Sequence, residues 1–444
     1  MSLIKGFQTG SDNPDRELSP AALVRLRVAV TLFFALAGFL FAGWAVRIPA
    51  IKEQIGASPG PLGLAMLCMT GSAVLTMLAT GGLCRRFGSR RVTIVTAALL
   101  SVSVVPPTLT DSAVGLGLLL IIFGVAYGGI DVAVNSVAVD LIAALGRPVM
   151  PGFHAANSFG SLGGAALGGL LAPYLSPTQH MLLMVPAGLL ATVILGRMLM
   201  AYPLPSADAI GGEADPASTP DAAATGAPDG VSAGHEGGPE AERAGDATAP
   251  GGAGGRTGSR IGVAVVVFGL IGLCAAFSQG ALDGWMPLHI REDLAGSPGA
   301  AAAGYAALQL TMGFMRLSGV RLLERLGPTL VVVAGGLIAC AGILLAAMTD
   351  SLPLVFVGII ATGIGLANIF PVAMAQAGAA GGSSGIALAA TLGYCGILAA
   401  PPAIGLLSDA FGLPVGLTLI ALAAAVASVI AFMIRPRHAP RRTA

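Results

Sequence analysis

Residues 51–60 read IKEQIGASPG and residues 290–299 read IREDLAGSPG. Five of the ten places are identical at an offset of 239, and the rest include Lys/Arg and Ile/Leu exchanges. The same offset joins Arg86-Phe87-Gly88 to Arg325-Leu326-Gly327, and Gly124 to Gly363. A chain that repeats itself at one spacing over so much of its length is built as two copies of one unit. The phrase also has a local reading. Ser58-Pro59 and Ser297-Pro298 are helix starts, since a serine oxygen accepts a free backbone N–H and proline is preorganised for the first helical position. The charges ahead of them (Lys52 and Glu53; Arg291, Glu292 and Asp293) keep the loop in water.

Composition sets the solvent. The chain has 444 residues, 55% of them hydrophobic and 10% charged, with a mean hydropathy of +0.85. Soluble domains carry about 25% charged residues. Apolar runs long enough to cross a bilayer, which takes roughly 20 helical residues, recur throughout. Residues 1–20 are polar and lack the pattern of a signal peptide, so none is expected. A net charge of +1 gives no footprint for nucleic acid. The five cysteines (Cys68, Cys84, Cys274, Cys340 and Cys395) stand singly in apolar stretches, without metal-ligand or redox spacing. No metal or other cofactor is expected.

Cutting at polar and Pro/Gly punctuation gives twelve helices. The first six run over 25–48, 61–84, 91–110, 113–141, 149–175 and 180–201. The second six run over 261–289, 299–323, 328–348, 352–377, 383–408 and 413–434. The expected fold is an all-α membrane protein of two pseudo-symmetric six-helix halves, 25–201 and 261–434. Around them lie an N-terminal tail (1–24), a basic tail (435–444) and a linker (202–260). The linker is rich in Ala, Gly, Pro, Asp and Glu, too poor in large apolar residues to offset chain entropy, and is read as a disordered tether. With a cytoplasmic N-terminus, 20 of the 23 Lys/Arg fall on the cytoplasmic side and only Arg47, Lys52 and Arg291 on the other. The positive-inside rule therefore places both ends and the linker in the cytoplasm.

These features resemble the major facilitator superfamily over almost the whole chain. That family's loop signature, Gly-x-Leu-x-Asp-Arg-x-Gly-Arg-Arg, stands here as GGLCRRFGSRR, Gly81 to Arg91, with Arg85 in place of the acid. In the second half Glu324 precedes Arg325-x-Gly327, and GLLSDAFG (Gly405 to Gly412) is a third echo. The resemblance implies a twelve-helix secondary transporter with an inner charge gate, in which Arg85, Arg86, Glu324 and Arg325 take part. Asp140 is a replacement partner for Arg85.

Ionisable groups inside a bilayer are costly and mark function. The fourth helix carries GGIDVAVNSVAVD, with Asp131 and Asn135 one turn apart. Asp131 stands ten residues before the expected helix end, roughly 15 Å in. A carboxyl there is costly to hold as an isolated anion, which suits a group that takes up and releases a proton; the alternative is a polar tie between helices. The fifth helix opens GFHAANSFGSLGG and places His154 and Asn157 at depths that would face Asn135 and Asp131 on a neighbouring helix. His154 either joins a proton relay or bonds near the headgroups. The seventh helix ends FSQGALDGWMPLHI, where Gly280, Gly284 and Pro287 weaken it beside Gln279 and Asp283. Gln279, Asp283, Gln309 and Asn368 are candidate solute contacts. Arg47, Trp44, Trp285 and Arg316 are candidate gate residues; the two Trp are open to reading as an interfacial belt, and Arg316 either faces inward or joins the inner-gate charges Arg321 and Glu324.

Within the superfamily the chain is similar to the fucose–proton symporter branch, which has acid-x-Ala-x-Asn on the fourth helix and Asn-Ser-Phe-Gly on the fifth. Here these are Asp131-x-Ala133-x-Asn135 and Asn157-Ser158-Phe159-Gly160. The similarity implies Asp131 as proton site, and Asn135 and Asn157 as solute contacts. That branch's first-helix acid is missing here, so a sugar is not implied. A rival resemblance is to drug-efflux antiporters, through GSLGGAALGG (Gly160 to Gly169), which has Ala165 where that signature has proline. Small residues at this spacing also serve close helix packing. The expectation is a monomeric permease, not an enzyme, with a small polar solute, the lipid bilayer and the proton as its partners.

Overall fold

The structure, a computed structural model, describes residues 19–147, 149–204 and 254–435. The expected tails over 1–18 and 436–444, and the linker over 205–253, lie outside the described residues. All regular structure described is helical: α1 (Pro20–Ala45), α2 (Ile48–Gln54), α3 (Pro59–Phe87), α4 (Ser89–Ser103), α5 (Ala113–Leu145), α6 (Met150–Leu171), α7 (Pro177–Met200), α8 (Gly254–Glu292), α9 (Pro298–Leu317), α10 (Gly319–Met348), α11 (Leu352–Leu366), α12 (Ile369–Phe411) and α13 (Leu413–Met433), with a short 3-10 turn at Pro106–Thr108. Helix α5 runs four residues past its expected end, and α8 reaches back to Gly254, into the stretch expected as linker.

Two of these helices are each two helical segments joined across a glycine kink. Gly327 breaks α10 with φ 75° and ψ 160°, and Gly382 breaks α12 with φ 60° and ψ −145°. Among the described residues, ten segments are long and apolar enough to cross a membrane. Helices α6 and α9, of 22 and 20 residues, fill the two other places in the six-plus-six pattern with a more polar, glycine- and alanine-rich composition.

The repeat is visible in the backbone. Gly88 (φ 86°) and Gly327 (φ 75°) stand at the repeat spacing and turn the chain the same way, as does Gly412 (φ 89°) in the third echo. Positive φ is what fixes glycine at these turns. A methyl on Gly363 would stand 2.9 Å from Thr311 Cβ and 3.1 Å from the Leu308 carbonyl, while one on Gly124 would run into the Met69 carbonyl and the Ser72 hydroxyl. All three pairs, 124/363, 69/308 and 72/311, are repeat mates, so one helix crossing has been built twice.

The opening phrase repeats its strain as well. Gly56 has φ 60° and its mate Ala295 has φ 48°. An alanine in that region costs roughly 1–2 kcal/mol. Ala295→Gly is therefore expected to raise stability by up to about 1 kcal/mol, after the entropy glycine returns to the unfolded chain. A higher unfolding temperature in detergent is the check.

The serine caps differ between the copies. Ser297 Oγ accepts from the Ala300 N–H at 3.1 Å, as expected. Ser58 does not cap its own helix. Its hydroxyl donates across the molecule to Asp409 Oδ2 at 3.1 Å. Asp409 thus brings a negative charge to the start of α3, where the helix dipole favours one.

That contact belongs to a closed face. The start of α3 packs on the end of α12, where a methyl on Gly63 would lie 2.5 Å from the Pro401 carbonyl and one on Gly405 2.6 Å from the Pro59 carbonyl. The end of α6 meets the start of α9 through Gly169, Gly299 and Ala302. Lys52 Nζ bonds Glu292 Oε1 at 2.7 Å between the two copies of the phrase. The two halves therefore meet along the face that carries Ser58 and Ser297, called the Ser-Pro face below.

Candidate functional site

Beneath that face, polar side chains from both halves converge on the bundle interior. Asp131 lies 14 residues before the end of α5, about 21 Å at 1.5 Å per residue. Asn135 Nδ2, one turn on, donates to the Asp131 carbonyl at 2.8 Å, with Asp131 Oδ1 at 3.5 Å. One turn back, Tyr127 is within electrostatic reach of Asp131, Asp283 and Arg316 together. Tyr394 on α12 is in reach of Asp131 from the other half.

The second half contributes a connected cluster. Asp283 Oδ1 on α8 accepts from the Tyr305 hydroxyl at 3.1 Å and has Gln309 Nε2 at 3.4 Å. Gln309 Nε2 also donates to Tyr305 Oη at 2.9 Å. Tyr305 is fully buried and Gln309 nearly so. One turn before Asp283 on α8, Gln279 Oε1 accepts from Arg316 Nη2 at 3.2 Å. Arg316 Nη1 donates across the halves to Ser158 Oγ on α6 at 2.7 Å. Of the two places open to Arg316, facing inward or joining the gate charges around Glu324, its bonds to Ser158 and Gln279 correspond to the inward one.

Two expected solute contacts bond to backbone. Asn157 Nδ2 donates to the Phe34 carbonyl of α1 at 3.1 Å. Asn368, just after α11, donates to the Met315 carbonyl at 3.1 Å. That carbonyl lies just before the bend at Ser318, so Asn368 fixes the end of α9 where Arg316 stands. Leaving a buried carbonyl unpaired costs about 1–3 kcal/mol. Asn368→Leu is expected to cost that much, read as a lower unfolding temperature.

His154 does not meet Asp131 across α5 and α6 as expected. Helix α6 leans chiefly on α1 and α9. The His154 ring therefore sits edge-on to Phe34 with centroids 5.4 Å apart, within electrostatic reach of Arg316.

The gate candidates divide by face. On the Ser-Pro face Arg47 is 3% exposed and its Nε donates to His180 Nδ1 at 3.2 Å, so it turns to α7 and not to Asp283. Trp44 packs with its ring tilted against Phe123, centroids 5.2 Å apart, and Trp285 packs at Gly405, where α12 meets α3. Both Trp are fully buried, which rules out a lipid-facing belt. On the opposite face Arg85, Arg86, Glu324 and Arg325 are exposed at the loop ends. Asp140 accepts from Ser89 Oγ at 3.2 Å, at the start of α4, and is within electrostatic reach of Arg90.

Three tyrosines of the site, Tyr127, Tyr305 and Tyr394, were not singled out from sequence. The chain has only five tyrosines, and a hydroxyl inside an apolar span needs a partner, which was the available signal.

The family model described as Major Facilitator Superfamily matches residues 23–237 and 268–444. An uncharacterised MFS-type transporter of Yersinia pestis is 29% identical over 400 residues, covering 89% of this chain and 92% of its own. Among solved structures, a bacterial homologue of the human lysosomal transporter spinster superposes with a TM-score of 0.69 at 15% identity, covering 94% of this chain and 97% of its own. The Escherichia coli fucose:proton symporter does so with a TM-score of 0.58 at 16% identity, covering 94% and 99%. With a duplicated twelve-place helical pattern, a polar interior between the halves and a family model matched along both, the chain belongs to the major facilitator superfamily.

Proposed function

We propose that this protein is a proton-coupled secondary transporter that moves a small polar solute across the inner membrane by alternating access. It acts as a monomer, with both termini and the 202–260 linker in the cytoplasm and the Ser-Pro face outside. The observation that carries the reading is a polar interior built by both halves, Asp131 and Asn135 from one and Asp283, Tyr305 and Gln309 from the other, with Arg316 bonding across to Ser158 at 2.7 Å beneath a closed face. Alternating access needs a site shared by two bodies that separate on one side at a time, and this arrangement supplies one. Asp131 is the proton site, and Asn135, Gln279, Gln309 and Asp283 line the solute's place. Asn157 and Asn368 hold the helices that frame it.

Efflux by antiport is the weaker reading. In the glycine run of α6, Gly160 and Gly164 lie against the carbonyls of Ala35 and Phe39 on α1, so close packing accounts for them.

Reconstitution into proteoliposomes with an imposed pH gradient tests the proposal. Vesicles offered an isotope-labelled extract of bacterial metabolites are expected to accumulate a small polar solute against its concentration gradient. If wild-type protein accumulates nothing that empty vesicles do not, the reading is wrong.

A further inference from the structure

We infer that the solute is a small organic anion and that Arg316 is the residue that recognises its charge; this rests on the transport reading above. Arg316 is a half-buried guanidinium at the meeting of the two halves, and the partners it bonds are neutral: Ser158 Oγ at 2.7 Å and Gln279 Oε1 at 3.2 Å. Asp283 is close enough to feel its charge, yet Asp283 Oδ1 is committed to Tyr305 at 3.1 Å with Gln309 at 3.4 Å. Among the described residues, the hydrogen bonds of acid and base both go to amides and hydroxyls and none joins the two as an ion pair.

That separation has a chemical meaning. A guanidinium carries five N–H donors in a planar fork suited to two-point bonding of a carboxylate or phosphate. An arginine locked to a carboxylate has spent that fork. Arg316 has given one N–H each to Ser158 and Gln279, and the other three stay available. An interior cation without a contact anion is costly, so holding one here stabilises a partner that brings the missing charge. The last turn of α9 compensates part of it meanwhile, through the negative end of the helix dipole.

The position is also built to be fixed. Asn368 pairs the Met315 carbonyl beside it, and Gly319 packs directly on Asn368, so the bend after Leu317 aims Arg316 inward. Because Ser158 belongs to the first half and Gln279 to the second, an anion on Arg316 sits where both bodies can sense it. The amide oxygens of Gln309 and Asn135, whose Nε2 and Nδ2 are already bonded within the protein, face the solute's uncharged polar groups in this proposal.

The test sorts the solutes accumulated in the proteoliposome experiment by charge at neutral pH. The expected result is that the accumulated species are anions. Arg316→Gln should lose them by more than about tenfold, while Arg316→Lys keeps an intermediate level through its charge without the fork. Accumulation of only neutral or cationic solutes by wild-type protein would overturn the inference and leave the transport reading standing. So would an Arg316→Gln protein, monodisperse and with unchanged unfolding temperature, that accumulates the anion normally. No accumulation by wild type sinks the transport reading, and this inference with it. Should Arg316→Gln fail to fold, uncharged methyl esters of the accumulated species make the same test on wild-type protein. They are expected not to compete, and competition equal to that of the parent anion refutes the role.

Discussion

Asp131→Asn is expected to reduce solute accumulation from the ratio set by the pH gradient to about one. With one proton carried per solute, a gradient of two pH units can support a ratio of about 100, since each tenfold step costs about 1.4 kcal/mol. The substitution keeps the size and polarity of the side chain and removes only its ability to exchange a proton. Asn135 would still bond the backbone carbonyl of residue 131, because that 2.8 Å contact does not use the carboxyl. The helix should therefore stay in place. Exchange of labelled for unlabelled solute, which needs no net proton movement, is expected to continue within about threefold of wild type. An Asp131→Asn protein that still follows the gradient would move the proton site elsewhere, with Asp283 the next place to look.

The second large effect is mechanical. At Gly405 an added methyl lies 2.6 Å from the Pro59 carbonyl and 3.1 Å from Gly63 Cα, and those neighbours are backbone that cannot swing aside. Gly405→Leu should stop α12 from seating on α3 and hold the Ser-Pro face apart. Transport is expected to drop more than about 100-fold while the protein still inserts and folds, since each half keeps its own helix crossings. Met66, which is 3% exposed and packs on Gly284 of the other half, supplies the reporter. A cysteine placed there should react at least about tenfold faster with a membrane-impermeant thiol reagent in the Gly405→Leu background. Wild-type transport with an unchanged labelling rate would show that this face does not have to close.

What could be read from the sequence follows a physical division. Helix positions came through because bilayer-length apolar runs and glycine turns are local signals. The Gly88 and Gly327 turns were marked by their own repeat before their shared positive φ was known. Tertiary choices were not local. Ser58 and Ser297 sit in identical Ser-Pro-Gly contexts, yet one caps its helix and the other reaches Asp409, which lies 351 residues away. Only the packing of α3 on α12 decides that. His154 was expected opposite Asp131 because consecutive helices are usually neighbours, whereas α6 leans on α1 and α9. Arg316 could be read either as facing inward or as a gate charge near Arg321 and Glu324, and nothing local chose between them. The bend after Leu317, which no breaker residue other than Gly319 announces, turns it into the interior.

The closed Ser-Pro face also bears on how the molecule divides its time. Among the described residues, its polar fastenings include one partly exposed ion pair, Lys52–Glu292, and one hydrogen bond, Ser58–Asp409, on a seam of close glycine packing. An exposed ion pair is worth about 0–1 kcal/mol, and a hydrogen bond to a charged group about 1.5–3 kcal/mol. Polar contacts this weak add little to what the packing of the seam must supply. Moving a two-state population from 1:99 to 99:1 takes about 5.5 kcal/mol of differential affinity. A proton and a solute bound together at one shared site can provide that, so occupancy of the interior can govern which side of the membrane the cavity addresses.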